Sequence, residues 1–117
     1  MTSVTRIQAG PRMSQAVIHG DTVYLAGQVA LGAPGQPVAA QTADILARID
    51  ALLAEAGSDR TKLLTATIWL ADMTHFDEMN AIWDAWVAPG ATPARACVES
   101  RLAAPQFTVE IGIVAAR

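Results

Sequence analysis

Lysine and arginine are scarce in this chain: eight among 117 residues, against eleven aspartates and glutamates, for a formal net charge of −3 and a pI of about 5.1. No run of basic residues occurs anywhere, which argues against nucleic acid as a partner, because phosphate binding depends on clustered cations that release counterions. Aromatic residues make up only 5% and leave few platforms on which bases could stack. A single cysteine excludes an intrachain disulfide, and two widely spaced histidines offer no metal-ligand constellation, so no metal site is expected. No apolar run approaches the roughly twenty residues of a membrane span, and the opening MTSVTRIQAG lacks the apolar core of a secretory signal. The expected setting is reducing and cytoplasmic, without membrane contact.

What is present is apolar and aliphatic. At 52% hydrophobic and 16% charged, the chain can bury a large core for its length, and 117 residues suit one domain spanning 1–117. Residues 16–19 and 22–29 flank Gly20-Asp21 and read as a hairpin, since that dipeptide tolerates the positive φ of a tight turn. LGAPGQPVAA concentrates Gly and Pro and reads as a loop. From Gln41 the spacing is helical, with Ile45, Ile49, Leu52, Leu53 and Ala56 on one stripe and Gly57 at the expected left-handed end.

LLTATIWLAD alternates, placing Leu64, Ala66, Ile68 and Leu70 on one face and Leu63, Thr65, Thr67 and Trp69 on the other. Thr74 with Asp77 and Glu78 predicts a capped helix start, followed by the stripe Phe76, Met79, Trp83 and Trp86 or Val87 and a stop at Pro89-Gly90. ARACVESR and FTVEIGIVAA read as two further strands. The order β-β-α-β-α-β-β predicts an α+β domain with two helices on one face of a sheet. The strands at 63–70 and 107–116 carry apolar residues on both faces, so the second sheet face is expected to pack on another subunit.

Alternation groups Arg95, Cys97, Glu99 and Arg101 on one face of their strand. In the last strand Glu110 points away from Val109, Ile111 and Ile113. A guanidinium offers two parallel donors matched to a carboxylate, so Arg95 can anchor a small organic acid, or it can simply pair with Glu99 or another surface acid. Glu110 can hold or deprotonate a water if buried and is an ordinary surface charge if not. Cys97 has no histidine near it in sequence and reads as a packed thiol rather than a nucleophile. His19 beside a turn and His75 in a first helical turn read as solvated or capping. The tryptophans at 69, 83 and 86 follow core periodicities.

Thr92-Pro93-Ala94-Arg95-Ala96-Cys97-Val98-Glu99 closely resembles the signature of the RidA/YjgF reactive-intermediate deaminases. Met13-Ser14-Gln15-Ala16-Val17, Ala26-Gly27-Gln28, Asn80 and Val109-Glu110-Ile111 follow in family order, and AIWDAWV and KLLTATIWLAD are most similar to the YoaB-type branch. The resemblance implies a chorismate-mutase-like homotrimer with pockets between subunits, and hydrolysis of 2-imino acids or enamines to 2-keto acids and ammonia. It implies that Arg95 clamps the substrate carboxylate and Glu110 orients or activates water. Gly27 and Cys97 would contact the imino or amino group, and Asn80, Met13 and Ala26 would line the pocket. No cofactor is implied, because imine hydrolysis asks only that water be held against a polarised carbon. Family members of the RidA type usually carry Tyr where Met13 stands and Ser where Ala26 stands. That departure leaves a second expectation, a carboxylate-binding or chaperone-like module that uses the same pocket without turnover.

Overall fold

The structure is a computed structural model that describes residues 3–117; Met1 and Thr2, the start of the expected 1–117 domain and of MTSVTRIQAG, lie outside the described residues. Among the described residues the chain forms seven strands and two α-helices: β1 (Val4–Ala9), β2 (Ser14–His19), β3 (Thr22–Leu25), β4 (Gln28–Val29), α1 (Val38–Glu55), β5 (Leu63–Leu70), α2 (Phe76–Trp86), β6 (Ala94–Glu99) and β7 (Val109–Ala116). They make one mixed sheet in the order β1-β2-β3-β7-β5-β6, with β4 also pairing β7. Every pair is antiparallel except β5 with β6. No helix among the described residues is long and apolar enough to cross a membrane.

Both helices cover one face of this sheet. Alternate residues of the strands, among them Ile18, Val23, Ile68, Ile111 and Ile113, are buried against Ile45, Ile49 and Leu53 of α1 and Met79 of α2. Fully burying side chains of this size contributes about 1.5–3 kcal/mol each, which makes this seam the main source of stability. The opposite face carries no helix. There Tyr24 and Val98 are nearly half exposed, and the whole unit is a slab of 46 × 37 × 21 Å.

Several expectations need correction. The chain opens with an additional strand, β1, which pairs with β2, so the order is not β-β-α-β-α-β-β from its start. The stretch read as one strand over 22–29 is two short strands, broken at Ala26-Gly27. Helix α1 begins at Val38, inside the segment read as a loop. Pro37 precedes it and offers no side-chain cap; the Ala39 N–H instead donates to Glu78 Oε2 of α2 at 2.9 Å. Its far end is as expected: Gly57 has φ +78°, Gly57 N–H donates to Ala54 O, and Ser58 N–H donates to Leu53 O.

In β5 an irregularity between Leu63 and Thr65 shifts the register, so that Leu63 is buried and Leu64 exposed, the reverse of strict alternation. Thr74 does not cap α2. Asp72 accepts the Thr74 backbone N–H and hydroxyl, capping a 3-10 turn over Met73–His75 that leads into the helix. His75 occupies the N-cap position of α2 but makes no side-chain cap bond; it is half-buried rather than solvated, and its Nδ1 is buried without a hydrogen-bond partner among the described residues.

Candidate functional site

The sheet brings the expected residues together in two groups on its two sides. The first group is built on β6, an edge strand. In the parallel register Arg95 lies beside Ala66 and Cys97 beside Ile68, both of which face the helices, so Arg95 and Cys97 face them too. Helix α2 presents Phe76, Asn80 and Trp83 at spacings of four and three residues, which places them on one stripe. Arg95 Nη1 donates to Asn80 Oδ1 at 2.8 Å, and its Cζ lies 5.9 Å from the Phe76 ring centroid and 5.5 Å from that of Trp83.

The alternative partner, Glu99, is engaged elsewhere, with Oε1 accepting the Met73 N–H at 2.9 Å. Among the described residues Arg95 forms no ion pair; the two present are Arg48–Asp44 and Arg60–Asp50. Arg95 is exposed, so its charge remains accessible from solvent. Burial pushes the Cys97 thiol up, while the nearby Arg95 charge pulls less strongly in the other direction. The thiol is thus held protonated, which makes it a poor nucleophile.

The second group lies on the helix-free side. Glu110 is opposite Val29 on one neighbour and Trp69 on the other, out of phase with buried Val109 and Ile111. Its carboxylate rests over Gly27, where a Cβ would fall 2.2 Å from Oε2. The break between β3 and β4 therefore supplies the space that this carboxylate occupies. Burial raises the Glu110 pKa above its ordinary 4.5, with no compensating cation. A carboxyl in that state is a better proton acceptor than a surface glutamate once ionised.

Ala26, half-buried beside Gly27, donates its N–H to Gln15 O and accepts from Gln28 Nε2. Met13 stands 48% exposed in the β1–β2 turn. Among the described residues no three His, Cys, Asp or Glu side chains converge as metal ligands would. A concavity of about 670 Å³ starts where β6 ends and is lined by the 99–105 segment with Ala71 and Phe107; neither Arg95 nor Glu110 borders it.

In one chain, then, Arg95 with Asn80 and Glu110 with Gly27 form two half-sites that face opposite ways. Sequence alternation anticipates the direction of each strand residue. It does not anticipate Phe76 and Trp83 as neighbours of Arg95; the readable signal was their spacing from Asn80 along one helix stripe.

Comparison with known proteins agrees with this architecture. Residues 4–117 match the family model described as Endoribonuclease L-PSP. The RutC family protein YoaB of Escherichia coli K12 is 45% identical over 115 residues, covering 97% of this chain and 98% of that one. A RutC family protein of Haemophilus ducreyi is 42% identical over 113 residues, 97% of this chain and 96% of its own. Among solved structures, NMB1025 of Neisseria meningitidis, a member of the YjgF protein family, is 50% identical with a TM-score of 0.95, covering 98% of this chain and 95% of that one. Rv2704 of Mycobacterium tuberculosis, of the YjgF/YER057c/UK114 family, is 29% identical with a TM-score of 0.88, covering 98% of this chain and 100% of the other.

Proposed function

Since this chain belongs to the Endoribonuclease L-PSP family, whose relatives bear the names YjgF and RutC, we propose that it hydrolyses 2-imino acids or their enamine tautomers to 2-keto acids and ammonia. The observation that carries the reading is the Arg95 guanidinium, bonded to Asn80 and paired with no carboxylate among the described residues. A planar cation in that state is a ready partner for a substrate carboxylate. A net charge of −3 and the lack of any basic run favour a small acid over RNA, whatever the family description names.

The half-sites imply how the reaction centre is completed. Glu110 and Arg95 point to opposite faces of the sheet from strands two apart, so the reading brings both to one small molecule through a contact between copies. The free edge of one copy has to meet the helix-free side of the next. A two-fold pair would need both contacts at once across the same slab, whereas repeating a single head-to-tail contact closes a ring. A homotrimer with three equivalent clefts satisfies this, and it covers the apolar face around Tyr24 and Val98.

Within such a cleft Arg95 holds the carboxylate while Asn80, Met13, Ala26, Gly27 and Cys97 shape the surroundings of the C=N group. The Glu110 carboxylate accepts a proton from water as the water oxygen bonds to the imine carbon. That proton returns to nitrogen to give the carbinolamine; the hydroxyl proton then passes through Glu110 to nitrogen as the C–N bond breaks, so ammonia leaves and the carbon becomes the carbonyl of the keto acid. Positioning and proton transfer account for the chemistry, and no cofactor enters.

Loss of the Arg95 bonds in Arg95→Ala is expected to weaken carboxylate binding by about 1.5–3 kcal/mol, a ten- to hundredfold change. Keto-acid release from imines generated in situ by an amino-acid oxidase measures it. Wild-type protein that accelerates hydrolysis of no imine would end the enzyme reading. Binding at Arg95 without turnover would favour the carboxylate-binding module instead, a reading supported by Met13 and Ala26, which lack the hydroxyls usual at those places. Sedimentation at decreasing concentration tests the trimer.

A further inference from the structure

The stripe Phe76–Asn80–Trp83 does more around Arg95 than pack the core. Trp83 is buried and stacks obliquely on Trp86 with centroids 5.4 Å apart, so its ring is immobile; Phe76 is half-buried at the start of the same helix. The guanidinium carbon lies within 6 Å of both ring centroids, and Nη1 is tied to Asn80. An exposed arginine on an edge strand ordinarily samples many rotamers, and ordering it on binding costs side-chain entropy. Here three side chains of one helix hold it before any ligand arrives. Nη1 is the atom committed to Asn80, so the side-on pair Nε and Nη2 is left as the coplanar fork.

Resting on the carboxylate-binding reading above, we infer that Phe76 and Trp83 are positioning residues. They act through Arg95, fixing its guanidinium so that a planar carboxylate is taken side-on by Nε and Nη2. Neither ring needs to touch the substrate. Their contribution is preorganisation, which raises affinity by removing an ordering cost rather than by adding a contact. The arrangement also favours planar carboxylates, since a freely turning guanidinium would adapt to other anions.

The test uses the full-length protein, 2-oxobutanoate as calorimetric probe, and the NMR signals of the Arg95 guanidinium without ligand. Phe76→Leu and Trp83→Leu should each weaken 2-oxobutanoate by about two- to fivefold, the range of an exposed cation–π contact. Trp83→Phe should restore most of the Trp83→Leu loss. In an Arg95→Ala background neither leucine variant should cost anything further. Without ligand, rotation about the Arg95 Nε–Cζ bond should be slow in the wild type and faster in both leucine variants. Unchanged rotation in both, or losses that add in full to that of Arg95→Ala, overturns the inference even if Arg95 itself proves essential. Should Arg95→Ala bind 2-oxobutanoate as the wild type does, the carboxylate reading falls, while the rotation measurement still decides whether the helix stripe fixes the guanidinium.

Discussion

Gly27→Ala separates the proposed role of Glu110 from its contribution to folding. Gly27 is exposed and is not among the positive-φ residues, so alanine is tolerated by the backbone itself. What it meets is the Glu110 side chain, with Oε2 at 2.2 Å and Cδ at 3.0 Å from the added Cβ. To regain ordinary contact the carboxylate has to retreat by about 1 Å, and a displacement of that size at a reacting group can cost about a hundredfold in rate. The obstacle is the end of a flexible side chain, so folding pays little, and removing a glycine from the unfolded ensemble offsets part of the cost by about 0.4–1 kcal/mol. The expected variant unfolds within a few degrees of the wild type yet releases keto acid up to about a hundred times more slowly. Its KM should change little, because Arg95 is untouched. In the Glu110→Gln background the same substitution should have almost no further effect. A Gly27→Ala protein as active as the wild type, or one whose loss persists undiminished without Glu110, would refute the link between Gly27 and the carboxylate.

The remaining predictions concern stability. Burial raises the Glu110 pKa, so the folded chain binds that proton more readily than the unfolded chain. The contribution of Glu110 is full below the ordinary value and is lost as pH rises through the raised one. Glu110→Gln should therefore match the wild type in thermal unfolding near pH 3 and exceed it at about pH 7; the opposite order would contradict the burial. Asp50 accepts from Arg60 Nε and Nη2 and from Trp86 Nε1, and Arg60 Nη1 donates to Trp86 O at 2.9 Å. Because Asp50 and Arg60 are about a third or more exposed, Asp50→Ala should cost only about 1–2 kcal/mol in urea unfolding. Fully buried Gln41 donates to Gln36 O and Gln106 O and accepts the Thr108 N–H; Gln106 O also accepts the Gly35 N–H, so Gln41→Leu removes the side-chain partners of Gln36 O and Thr108 N–H and should cost about 2 kcal/mol or more.

What could be read from sequence follows the range of the forces involved. The α1 stripe and its Gly57 end are local and periodic, and they stand as expected. The start of α1 is hidden because its cap comes from Glu78, thirty-nine residues from Ala39. Strand β1 is hidden because it lies at a sheet edge, buries only Ile7, and is interrupted where Gln8 takes φ +51°, which leaves no alternation to detect. Leu63 and Leu64 are misassigned because a register shift changes which of two adjacent, chemically identical side chains turns inward. The Asp72 cap lost out to Thr74 because both residue types cap helices, and only the intervening 3-10 turn decides between them.

The same limit applies to the site, with a different consequence. Alternation fixes the direction of Arg95 relative to its own strand and of Glu110 relative to its own, yet says nothing about whether the two strands share a phase. The ladders supply that: Arg95 is in register with Ala66, which faces the helices, and Glu110 with Trp69, which does not. They lie two strands apart and on opposite sides of the sheet, so the proposed joint action on one small substrate calls for a contact between copies. Residues placed by strand phase are therefore legible one strand at a time, and a reaction that needs both is legible only once the sheet is assembled and its uncovered side is accounted for.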